Sequence, residues 1–232
     1  MATPYSSTFP AEPPGDPDDP ASVARHDQQA FERVGTMLRH WDRPHRRSYH
    51  WMITLDQHQP VIELSQQCQQ LLPQVGLGLI PPESLHLTVR RLGYVDEVDP
   101  SRLRTALRTV RGRCLATAAF DLKVIPLAGS PGAVRFSVAP WSPLLDLHRT
   151  VSAAADCDGV DPLAVYRPHV GVAYSDRVQS PEPYIEAAHR ARSLPLAEIT
   201  INELQLVELY RANHQYRWRV LERLPLAGPS LG

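Results

Sequence analysis

The chain has 232 residues, 43% of them apolar and 21% charged, with a formal net charge of -1. That is enough chain to bury a core, and the charge balance excludes a protein that coats nucleic acid by bulk electrostatics. It leaves room for a small pocket that binds a single phosphate.

Residues 1–22 hold six prolines in the first twenty positions, with Asp, Ser and Gly between them. This composition predicts a disordered segment. The N-terminus lacks a basic stretch followed by an apolar one, and no apolar run reaches membrane-spanning length, so a cytoplasmic protein is expected. Phe31, Val34, Leu38 and Trp41 recur at helical spacing, which predicts a helix over 23–41. "RPHRR" (43–47) reads as an exposed basic turn, and residues 23–47 form a helix-and-turn lead-in. The main domain is expected over 48–232.

"YHWMITLD" (49–56) reads as a strand. "PVIELSQQCQQLLPQ" (60–74) reads as a helix with Val61, Leu64, Cys68 and Leu71 on one face. A Gly/Pro loop follows at 75–84, then a strand at 85–95. "DPSRLRTALRTVRGRC" (99–114) predicts a helix capped by Asp99 with Pro100 in its first turn. Residues 120–129 and 133–140 predict a hairpin around "GSPG". A helix at 142–155, capped by Ser142, precedes a strand at 166–176 and a helix at 180–193. The last stretch, 198–226, reads as two long strands turning at "RANHQ".

Hairpins interspersed with helices predict an α+β fold with mainly antiparallel sheets. The order also repeats: in each half a strand carrying one histidine lies between helices. This predicts two pseudo-symmetric lobes around a central cleft.

Cys68, Cys114 and Cys157 are widely spaced and form no CxxC pair, which fits reduced, buried thiols rather than a disulfide framework or zinc site. Lys123 is the only lysine. No carboxylate cluster accompanies His86 or His169, so neither a metal nor a cofactor is expected.

Two short stretches carry the chemistry. Strand side chains alternate between faces. In "LHLTVR", His86, Thr88 and Arg90 then share one face, opposite Leu85, Leu87 and Val89. In "HVGVAYS", His169, Gly171, Ala173 and Ser175 share one face, opposite Val170, Val172 and Tyr174. A lone strand histidine or threonine is ordinary, but the two motifs stand 83 residues apart in matched contexts.

The frames "PPESLHLTV" and "YRPHVGVAY" resemble the two His-x-Thr/Ser-x motifs of the 2H phosphoesterase superfamily, which includes the RNA 2′,3′-cyclic phosphodiesterases known as 2′-5′ RNA ligases. The resemblance runs from about Tyr49 to Leu226. It implies a bilobal fold and metal-independent hydrolysis of a 2′,3′-cyclic phosphate on an RNA end or small nucleotide. It implies His86 and His169 as acid and base, with Thr88 and the 171 position at the phosphate. Gly171 departs from the pattern, because relatives place a phosphate-contacting Thr or Ser there. A nucleotide or RNA-end binder with impaired catalysis is therefore the alternative, and 2′-5′ ligation is a lesser one.

Arg90 and Arg135 are candidate substrate contacts. Tyr49, Trp51, Tyr210 and Trp218 could stack a base, although most of them are expected in the core. His148 and His189 are expected on helix surfaces, and His214 in an exposed turn.

Overall fold

The computed structural model describes residues 9–41, 46–155 and 161–228. Two antiparallel sheets organise them. The first has strand order β3-β1-β8-β9, with β1 Ser48–Thr54, β3 His86–Tyr94, β8 Glu203–Ala212 and β9 Gln215–Pro225. The second has order β2-β6-β5-β4-β7, with β2 Leu77–Leu79, β4 Phe120–Ser130, β5 Ala133–Ala139, β6 His169–Ser175 and β7 Ala197–Ile201. The α+β class with mainly antiparallel sheets is therefore observed. Helices α1 (Pro20–Glu32), α2 (Gln59–Leu71), α3 (Pro100–Cys114), α4 (Ser142–Ala153), α5 (Pro162–Val165) and α6 (Glu182–Ala191) pack on the sheets and on one another.

The apolar faces meet in a core that includes Trp51, Trp141, Phe31, Phe136, Leu87 and Leu122, all buried. Asp99 caps α3 as expected, accepting from the Ser101 N–H. Ser142 does not cap α4. It is the first helical residue, and its N–H donates to Asp18 Oδ1 at 2.8 Å, so a carboxylate from the N-terminal segment supplies the cap.

Residues 1–8 of that segment lie outside the described residues, and the rest departs from expectation: 9–22 take defined turns that lead into a capped helix. Asp19 caps α1 by accepting from the Ala21 and Ser22 N–H groups, and Asp16 accepts from the N–H groups of Asp18 and Asp19. Proline and aspartate suit capping and turns as well as they suit disorder, so composition alone misread them. Helix α1 begins at Pro20 and ends at Glu32, well short of Trp41. Beyond it the chain continues without helix through Gly35 to Met37, which bridges to Gln179. Helix α1 lies close on β4 because Gly129 has no side chain; a Cβ there would stand 2.4 Å from the Phe31 ring. The expected basic turn falls mostly on residues 42–45, and Cys157 also lies outside the described residues. Cys68 and Cys114 are buried and unbridged.

Two strands were expected after residue 197, and three are found. Asn202 divides the stretch: β7 joins the second sheet at β4, while β8 joins the first between β1 and β9. The β8–β9 turn lies at "RANHQ", with Asn213 and His214 at φ 52° and 55°, as a two-residue hairpin turn requires. Among the described residues, no helix is long and apolar enough to cross a membrane.

Candidate functional site

His86 opens β3 and His169 opens β6. Each ring is held in the same way. His86 Nδ1 donates to the Ser84 carbonyl oxygen at 2.8 Å, and His169 Nδ1 donates to the Arg167 carbonyl oxygen at 2.8 Å. A carbonyl can only accept, so each Nδ1 carries its proton. That leaves each Nε2 to accept a proton when neutral and donate one when charged. Strands β3 and β6 meet across the two sheets, and a charge on His86 is felt at His169. Burial pushes both imidazoles below their ordinary range. His169 falls to about 4, through burial first and the nearby Arg135 charge second.

The two strands share a second feature that simple alternation hides. In β3, Thr88 pairs with Met52 but Arg90 pairs with the adjacent Trp51, so one extra residue is inserted. In β6, Gly171 pairs with Arg135 but Ala173 pairs with the adjacent Val134. Each histidine is thus followed by a β-bulge at the same offset, and each bulge reverses the alternation beyond it.

This reversal corrects two expectations. Arg90 does not share the side of His86 and Thr88. It turns towards α4, where its Nη1 stands 3.4 Å from His148 Nε2. Tyr174, expected on the core face, instead joins the His169 side. Its hydroxyl stands 3.4 Å from where a Cβ at position 171 would begin. That same Cβ would stand 2.7 Å from Ile80 Cδ1, so Gly171 belongs to a packed arrangement. His148 is buried, stacked on Tyr166 at 4.8 Å, and pushed down to about 4 by burial. It faces inward because α4 is wedged against β3, α3 and α5. His189 and His214 are exposed, as expected.

Arg135 lies opposite Gly171, and Ser137 lies opposite His169. Both meet a residue that sequence reasoning missed. Asp27 of α1 accepts from Arg135 Nη1 at 2.9 Å and from Ser137 Oγ at 2.6 Å. Burial alone would raise this carboxyl; Arg135 and the hydrogen bonds overcome it and hold the group far below the carboxylate range. Arg135 is therefore engaged within the fold. The sequence marked Arg135 as a candidate substrate contact, but neither its place opposite Gly171 nor its partner 108 residues away was legible there.

Aromatic rings surround the histidines. Trp218 lies 5.2 Å from His86 and Tyr216 lies 6.2 Å from it, both edge-on. His40 stacks on Tyr174 at 4.1 Å, and its Nε2 is 3.2 Å from the Tyr216 hydroxyl. Burial pushes His40 down to about 4, and its charge is coupled to that of His169. Of the four aromatics singled out in the sequence, Trp51 is core, Tyr49 packs at its edge, Tyr210 is exposed and Trp218 borders His86. Among the described residues, no group of three or more His, Cys, Asp or Glu is arranged to hold a metal ion.

Residues 60–213 match the family model described as the 2′-5′ RNA ligase superfamily. The chain belongs to this superfamily. Solved structures agree on the fold. TT0787 of Thermus thermophilus superposes with a TM-score of 0.59 at 19% identity, covering 78% of this chain and 99% of its own. Apo LigT of E. coli gives 0.58 at 17%, covering 79% and 99%. LigT complexed with 3′-AMP gives 0.56 at 16%, again covering 79% and 99%. No curated protein sequence matches the chain.

Proposed function

We propose that this superfamily member is a phosphodiesterase that opens a 2′,3′-cyclic phosphate, on an RNA end or a small nucleotide, without a metal or other cofactor. The observation that carries this reading is the matched pair of histidines, each with its Nδ1 pinned at 2.8 Å to the carbonyl two residues upstream. Two imidazoles held in the same way, each with Nε2 unclaimed by that bond, suit a reaction that needs one proton removed and one supplied. One Nε2 takes a proton from water as the water oxygen bonds to phosphorus. The other gives a proton to the ribose oxygen as its ring P–O bond breaks. The product is a phosphomonoester beside a free hydroxyl.

Charge builds on the non-bridging oxygens along the way, and donors aimed at them lower the barrier. Thr88 Oγ serves this role beside His86. Beside His169 the nearest hydroxyl to position 171 is that of Tyr174. Complexes of LigT with 3′-AMP, ATP and NADP+ support a nucleotide as the substrate class. Ring opening is the favoured direction over 2′-5′ ligation. The buried, unbridged thiols of Cys68 and Cys114 are in keeping with a cytoplasmic setting.

Gly171 favours the second reading, a nucleotide binder that has lost turnover. The two readings separate in a metal-free assay on nucleoside 2′,3′-cyclic phosphates. His86→Ala and His169→Ala should each lower kcat by about a hundredfold or more, the usual worth of a general acid or base. Undiminished turnover in the double variant would sink the two-histidine reading; binding without turnover in the unaltered protein would establish the binder.

A further inference from the structure

The N-terminal segment reaches His169. The Phe9 ring lies 4.9 Å from the His169 imidazole, inclined at 44°, and the Arg135 guanidinium stands 4.9 Å over the same ring. The backbone behind Phe9 is tied to the loop that orients His169. Arg167, whose carbonyl oxygen accepts from His169 Nδ1, donates through Nε to the Pro10 carbonyl at 3.2 Å and through Nη2 to the Ala11 carbonyl at 2.5 Å. His26 Nε2 donates to the Glu12 carbonyl oxygen at 3.1 Å. Asp27 then secures α1 to Arg135 and Ser137. This segment precedes the residues matched by the family model, which begin at 60. TT0787 and LigT are covered over 99% of their own length by 78–79% of this chain, so about a fifth of it has no counterpart in them.

We propose that Phe9 is a specificity-determining residue. With residues 10–12 behind it, the ring walls the His169 side of the cleft and confines the site to a substrate that is small on that side. A mononucleotide fits, and a nucleotide that continues into a longer RNA strand is disfavoured. The proposal rests on the phosphodiesterase reading for its substrate class. Its physical basis is steric: a phenyl ring held in contact with the imidazole occupies space that a neighbouring ribose or base would need.

Two readouts test it in the full-length chain. Turnover is compared between adenosine 2′,3′-cyclic phosphate and an adenosine trinucleotide ending in the same cyclic phosphate. Binding is compared by calorimetry between adenosine 2′-monophosphate and the corresponding trinucleotide 2′-phosphate, neither of which requires turnover. The unaltered protein should favour the mononucleotide by about tenfold or more in both, the scale of discrimination a shaped pocket supplies. Phe9→Ala should shrink that ratio towards unity, and Phe9→Trp should widen it. An unaltered protein that treats both lengths alike overturns the proposal. So does a ratio that stays constant across the three proteins, or a Phe9→Ala variant that weakens both ligands equally, as loss of a stacking platform would. Binding ratios that move as stated without any turnover would uphold the wall and reject the ring-opening reading. Absence of binding by all three proteins would reject both.

Discussion

At the scale of single residues, the second half-site is the informative one. Position 171 has no side chain, and Ile80 Cδ1 stands 2.7 Å from where one would begin. Gly171→Ser alone should therefore gain nothing, because the new atom meets Ile80 before it meets a phosphate. Tyr174→Phe should lower kcat about ten- to a hundredfold, the worth of a hydrogen bond to a charged group. In a Gly171→Ser/Ile80→Val background the same change should cost less, since the serine hydroxyl then shares the role. Equal losses in the two backgrounds would show that the hydroxyls act independently. The pH profile follows from the imidazoles. Burial holds His86 and His169 below the ordinary value of 6.5 in the free protein. On the proposed two-histidine reading one imidazole must be neutral and the other protonated, so kcat/KM should peak below pH 6.5. The kcat optimum should lie higher, because the bound phosphate's negative charge favours protonated imidazole. A kcat/KM maximum above 7 would contradict the assigned pair.

At the scale of elements, period-two alternation located both histidines, Thr88 and the hairpin of β4 and β5. It failed at Arg90 and Tyr174, where a bulge adds one residue with no compositional marker. Their two-fold recurrence is visible only in the pairing register. Helix α1 shows a different limit. Its face Val23, Asp27, Phe31 is helical in spacing, yet the middle member is a carboxylate whose purpose lies on β5. No local pattern marks such a partner. Asp27→Ala should destabilise the fold by about 3–5 kcal/mol, because it leaves the Arg135 charge buried without its counterion. Urea unfolding checks this, and a loss below about 1 kcal/mol would place the pair among weak surface bridges.

At the scale of the whole molecule, the α+β class and the two-lobed plan were legible because hairpins and helices alternate in the chain. The N-terminal segment was not, because prolines and aspartates read as disorder until their caps are seen. The buried histidines also contribute to the acid stability of the whole protein. His40, His148 and His169 are each lowered from 6.5 to about 4. The unfolded chain therefore takes up protons first. Stability is complete above pH 6.5 and is lost progressively as pH falls towards 4. Asp27, held below its usual 3.8, adds its own loss only under still more acid conditions. Thermal unfolding should show Tm flat above neutrality and declining from about pH 6.5; a Tm unchanged down to pH 4.5 would mean that the rings are charged in the folded state.

The passage of the chain from β7 to β8 through Asn202 alone has a mechanical consequence. The two sheets also share one buried apolar core, with Trp51, Leu87 and Leu206 from the first and Val124, Val138 and Val172 from the second, so swinging them apart about that edge would expose it to water. The separation of the two imidazoles is then a property of the resting fold rather than of a closure step. Substrate meets a jaw already set to width, and little of its binding energy goes into reshaping the protein. Small-angle scattering should accordingly give the same radius of gyration with and without a bound nucleotide.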